Sequence, residues 1–96
     1  MKRHYYDYTV EWDVTKNWAN YHKHGVRFEY AARVFMDYNR IEYYDEGHSG
    51  EEDRFYVIGL VEELLFVVYT ERGDCIRIIS ARYATKEEEA QYYGNC

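Results

Sequence analysis

Tyr6, Tyr8, Val10 and Trp12 alternate with Tyr5, Asp7, Thr9 and Glu11. That period of two predicts a strand with one apolar face. Asp13 follows where an N-cap belongs, its carboxylate placed to accept from the first free N–H groups of a helix. Val14, Trp18 and Tyr21 then recur at i, i+4 and i+7, and Gly25 suits the left-handed residue that closes such a helix. Phe28, Ala31, Ala32 and Phe35 form a second helical stripe directly after the first.

Residues 40–44 read as a short strand and residues 46–50, with two glycines, as a loop. Strands are expected over 54–60, 64–71 and 75–83. Turns near Glu62-Glu63 and at Arg72-Gly73-Asp74 join them into an antiparallel meander. Residues 64–68 are apolar at every position, which places their strand centrally. Thr85 with Glu88 three residues on is a capping box, opening a last helix that ends near Tyr93-Gly94. The expected order is β-α-α-β-β-β-β-α, an α+β fold with helices packed on one face of an antiparallel sheet. At 96 residues the chain is read as a single domain, 1–96.

The formal charge of −6 argues against a general nucleic-acid binder. Yet residues 41–53 hold six acids (Glu42, Asp45, Glu46, Glu51, Glu52, Asp53) and no Lys or Arg. That segment carries the whole excess, and the rest of the chain is balanced enough to build a basic patch. Thirteen tyrosines suit half-buried strand positions and can also stack on bases.

No apolar run approaches the ~20 residues of a membrane span, and the first residues lack the apolar core of a secretory signal. Cys75 and Cys96 form no CxxC pair and suit a reducing cytoplasm. His22 and His24, two apart on a helix, point in different directions, and no HExxH or Cys/His cluster occurs. Neither a metal nor a nucleotide cofactor is indicated. Glu87-Glu88-Glu89 reads as charge at a helix N-terminus.

The stretch WDVTKNWANYHKHGVRFEYAARVF, residues 12–35, resembles the signature of the BrnT family. The second half agrees: Arg54-Phe55 with Ile58-Gly59, VVYTERG over 67–73, and RIISARYAT over 77–85 followed by Glu88. The resemblance implies a RelE-like ribonuclease toxin of a type II toxin–antitoxin module, cleaving RNA without a metal. It further implies a BrnA-like antitoxin with a ribbon-helix-helix domain, through which alone the complex would bind operator DNA and repress its own operon. A dimer, or a heterotetramer with the antitoxin, is compatible with it. This chain departs from the family's usual pattern in its acidic 41–53 segment and its tyrosine content.

Metal-free RNA cleavage turns the ribose 2′-OH on the adjacent phosphate. It needs a base, an acid and positive charge for the phosphorane, for which the fork of arginine is well shaped. Lys23 can clamp phosphate and His24 can move a proton near neutral pH. Both also simply suit a helix C-terminus. Arg54, Arg72 and Arg77 share one end of the meander and Arg82 lies toward the other. Strict alternation puts Arg77 and Arg82 on opposite faces unless a bulge intervenes. Catalytic roles are expected of Lys23, His24, Arg54, Arg77 and Arg82, with Lys16 and Arg72 binding RNA. Ion pairing with Glu71, Asp74 or Glu88 is the structural counterpart for the arginines. Asp13 is expected as a cap, and Glu29 opens the second helix. The rival function is a catalytically weak or inactive partner of the antitoxin, acting only in autorepression.

Overall fold

The computed structural model describes residues 1–5, 8–47, 50 and 52–94, with backbone alone for His4 and Tyr5. Six strands form one sheet: β1 (Lys2–Tyr5), β2 (Tyr8–Glu11), β3 (Ile41–Tyr44), β4 (Phe55–Leu60), β5 (Leu64–Arg72) and β6 (Cys75–Tyr83). Helices α1 (Val14–His24), α2 (Phe28–Ala31), a 3-10 turn (Ala32–Met36) and α3 (Lys86–Gly94) complete it. The spatial order is β1-β2-β6-β5-β4-β3.

The meander stands as expected, with the strand of residues 64–68 between two neighbours. Asp13 caps α1, accepting from the Lys16 N–H at 2.9 Å, and Gly25 ends it at φ 74°. The capping box also forms: Glu88 N–H donates to Thr85 Oγ1 at 3.2 Å and Thr85 N–H donates to Glu88 Oε1 at 2.9 Å.

Four expectations need correction. First, residues 5–12 are not one strand, because the chain reverses between Tyr5 and Tyr8 and an additional strand, β1, pairs antiparallel with β2. The polar residues of β1 carry no alternation that would announce it. Tyr6 and Asp7 of the expected strand, and His48 and Ser49 of the expected 46–50 loop, lie outside the described residues. Second, the sheet is mixed, since β2 runs parallel to β6, with Glu11 opposite Arg77. Third, the helices are not all on one face. The main core joins α2 and the 3-10 turn to Val57, Leu65, Val67, Tyr69, Ile76, Ile78 and Ala81 on one side of the sheet. Tyr92 of α3 packs with Ile58 and Leu64 on the other. Residues 57 and 58 are neighbours in β4, so their side chains leave opposite faces. Gly59 shares the main-core face, where a Cβ would stand 2.8 Å from Val34 Cβ, so the 3-10 turn needs glycine there to pack close.

Fourth, the apolar stripe of α1 points out. Val14 and Trp18 are 52% exposed and Tyr21 37%, whereas the helix's one buried residue is Asn20. Asn20 Nδ2 donates to the carbonyls of Ala81 and Val26, both at 2.8 Å, and its Oδ1 accepts from the Ala81 N–H at 3.1 Å. β2 pairs with β6 only as far as Arg77. Beyond it, Asn20 satisfies the free edge of β6 as a strand residue would.

Candidate functional site

β6 bulges, and the bulge decides which residues meet. Ser80 pairs with Val68 and Ile78 with Tyr69, leaving Ile79 as the extra residue. Burial accordingly switches from Ile76 and Ile78 to Ala81. Arg77, Ser80 and Arg82 therefore stand opposite Thr70, Val68 and Phe66, three successive positions on the face away from the main core. Arg54 directly precedes β4, and continuing the β4–β5 register puts it opposite Thr70, in line with Arg77.

Each paired arginine is held by a carboxylate. Arg77 Nη1 donates to Glu11 Oε2 at 2.5 Å. Arg82 makes a two-pronged pair with Glu88, at 2.8 and 2.9 Å. Arg72 sits 3.0 Å from Glu52 at the exposed end of β5. Burial alone would raise the carboxyls of Glu11 and Glu88. For Glu11 the bonds from Arg77 and Cys75 overcome burial; for Glu88 those from Arg82 and Thr85 do, and both end below the ordinary carboxylate range.

The arginines border an aromatic row. Arg82 lies over Phe66, its Cζ 4.2 Å from the ring centroid. Phe66 stacks on Tyr56 at 4.8 Å and Tyr56 leans on Tyr43 at 5.0 Å. The face that α3 partly covers thus carries a guanidinium and three rings in succession across four strands, all partly accessible. Such a surface can hold phosphates on its charged side and bases on its rings.

Lys16 and Lys23 enter from α1. At 3.6 residues per turn they project roughly 20° apart, on the flank of Asn20 opposite the one carrying Asn17. Asn17 Nδ2 donates to Glu29 Oε1 at 2.6 Å, and Asn17 Oδ1 accepts from the Phe28 N–H at 2.8 Å. That fixes the Asn17 flank against α2, and the lysine flank turns along the β6 edge. Both lysines are exposed, and the Lys23 side chain has no hydrogen bond or ion pair among the described residues. His24 is half-buried on the α2 side of Asn20.

The structure thus gathers Arg54 with Arg77, joins Arg82 to the same face, and lines Lys16 and Lys23 along its edge. Arg72 lies at the sheet's margin, and His24 faces away from the arginines. Sequence reasoning did not find Glu11 as the partner of Arg77, because the pair spans a parallel pairing between segments 66 residues apart. It did not find the Tyr43–Tyr56–Phe66 row either, although the tyrosine count was a signal for it. No group of three or more metal-ligand side chains occurs among the described residues, and no helix is long and apolar enough to cross a membrane.

The family model described as the ribonuclease toxin BrnT of type II toxin–antitoxin systems matches residues 12–88. Among solved structures, the chain is similar to the Brucella abortus ribonuclease toxin BrnT, determined at 1.1 Å, with a TM-score of 0.66. Identity is 23%, covering 80% of this chain and 96% of that one, which speaks for a shared fold. No curated protein matches the chain significantly.

Proposed function

The chain belongs to the BrnT family of ribonuclease toxins from type II toxin–antitoxin systems, and on that premise we propose that it cleaves RNA without a metal on the arginine-bearing face of its sheet. The observation that carries this reading is the bulge in β6, which lets Arg77 and Arg82 serve one strand of RNA together. Arg54 and Arg77 bind the scissile phosphate and offset the phosphorane charge. Lys23 clamps a neighbouring phosphate, Arg82 steadies the nucleotide beside the rings, and Lys16 and Arg72 hold RNA further along.

His24, on the α2 side of α1 and facing away from these arginines, is not given the proton-moving role expected of it. A base takes the 2′-OH proton as that oxygen attacks phosphorus. The bond to the 5′-oxygen breaks, and that oxygen leaves protonated. The products are a 2′,3′-cyclic phosphate and a 5′-OH. Since Arg77 and Arg82 rest on Glu11 and Glu88, RNA must displace these carboxylates or share the guanidinium edges with them. The fold is taken as RelE-like and the setting as cytoplasmic. The partner is a ribbon-helix-helix antitoxin of the BrnA kind, bound in a dimer or heterotetramer that reaches operator DNA through the antitoxin.

The same ion pairs favour a second reading, in which a weak or inactive chain serves only in autorepression. Expression of the chain alone separates them. The nuclease reading expects growth arrest and truncated cellular RNA, both reversed by co-expressed antitoxin. Normal growth with intact RNA, in cells where the folded chain accumulates, would leave the binding-only reading.

A further inference from the structure

An amphipathic helix normally turns its apolar stripe to its own core. Helix α1 is inverted: asparagines fasten it to the sheet edge and to α2, while Val14, Trp18 and Tyr21 face outward. Arg27 lies across this stripe, its Cζ 5.3 Å from the Trp18 ring centroid and 4.6 Å from that of Tyr21. A guanidinium placed over rings can still offer its N–H edge to a carboxylate. Beside Trp18 opens a groove of about 280 Å³ lined by Met1, Trp12, Val14, Trp18, Arg27 and Glu29. Trp12 keeps a buried indole N–H with no acceptor among the described residues.

Residues 14–28 carry Lys16, Lys23 and Arg27 and no acid, in a chain that is net −6. Of these cations Arg27 lies on the outward stripe, with Glu29 in the groove wall beside it. An apolar surface centred on a ring-bound arginine attracts a segment that pairs an apolar side chain with a carboxylate. RNA is the weaker fit, because Val14 and the groove wall offer it nothing and the lysines lie on the other flank of the helix.

We propose that the outward stripe of α1, with Arg27, is where the antitoxin docks. The docking segment is an acidic amphipathic stretch that seats a bulky apolar side chain against Trp18 and a carboxylate on Arg27. The proposal rests on the toxin–antitoxin reading for the existence of that partner, and not on catalysis. Occupation of α1 would also cover the helix that supplies Lys16 and Lys23, so inhibition follows from docking beside the RNA surface.

The test measures the affinity of the cognate antitoxin for the full chain and for Trp18→Glu, Arg27→Glu and, as a control, Tyr38→Glu, which replaces a residue 96% exposed. All four are first checked for equal unfolding midpoints. Trp18→Glu and Arg27→Glu are each expected to weaken binding about tenfold or more, as anchors at an interface centre do. Tyr38→Glu should leave it unchanged. Cleavage of RNA by the free variants should stay within about threefold of the unsubstituted chain. Unchanged antitoxin affinity in both variants overturns the proposal. So does loss of RNA cleavage or of self-association with antitoxin affinity intact, which would assign the stripe to RNA or to a second copy. If the unsubstituted chain binds antitoxin but cleaves no RNA, the nuclease reading fails and the docking surface stands. If it binds no antitoxin, the module reading falls and takes the docking surface with it.

Discussion

Asn20 makes three hydrogen bonds to backbone groups of Val26 and Ala81 from a buried position. Its replacement by alanine leaves an N–H and two carbonyls without partners where water has little access. The expected cost is about 3 kcal/mol, read from the urea midpoint of Asn20→Ala, against well under 1 kcal/mol for Ala19→Ser on an exposed position of the same helix. Equal midpoints for the two would contradict the role given to the carboxamide. Nothing in the sequence distinguished Asn20 from a solvated helix residue, because its partner lies 61 residues away. The same holds for Arg77 and Arg82: alternation separates them, and only the bulge at Ile79 brings them to one face. A bulge is a matter of register between β5 and β6, which residue types along one strand do not reveal.

At the level of elements, the segments with strong local signals formed as expected. Asp13, Gly25, Gly73 and the Thr85–Glu88 box mark ends through contacts within a few residues of chain, and β4, β5 and β6 follow their apolar runs. What failed depended on tertiary partners. β1 is a polar edge strand, and the one residue α3 buries is Tyr92, its hydroxyl donating to Asp37 Oδ2 at 2.6 Å. Neither pattern tells which side of the sheet will receive it. Helix α1 had a clear stripe, but a stripe says that a helix buries one face, not against which molecule.

The α3 N-terminus carries a pH dependence. Glu88 is held below the ordinary carboxyl value of 4.5, burial being outweighed by the bonds from Arg82 and Thr85. A lowered native value means stabilisation that is complete above the unfolded value and lost as pH falls through the native one. Thermal midpoints should therefore fall on acidification below about pH 4.5, with Glu11 contributing in the same direction. Glu88→Gln should cost about 1 kcal/mol at neutral pH and flatten that fall. A variant whose midpoint drops with acid as steeply as the unsubstituted chain would show that the pair is not what the pH acts on.

Across the whole molecule, the excess of acid is local. Among the described residues Glu42, Asp45, Glu46, Glu52 and Asp53 lie on β3 and the approach to β4, while the arginines of β6 are matched one to one by Glu11 and Glu88. Two surfaces result: an arginine-and-ring face for RNA, and an apolar, cationic helix for a partner. The central claim is that the first of these cleaves RNA. Its most direct test is the rate at which the purified chain and its Arg77→Ala variant cut RNA with a chelator present, product ends being mapped. The expected result is cleavage that survives chelation and leaves 2′,3′-cyclic phosphate, slowed about 10²–10³-fold in the variant. No cleavage of free or ribosome-bound RNA by the unsubstituted chain, or equal rates for the two proteins, would contradict it.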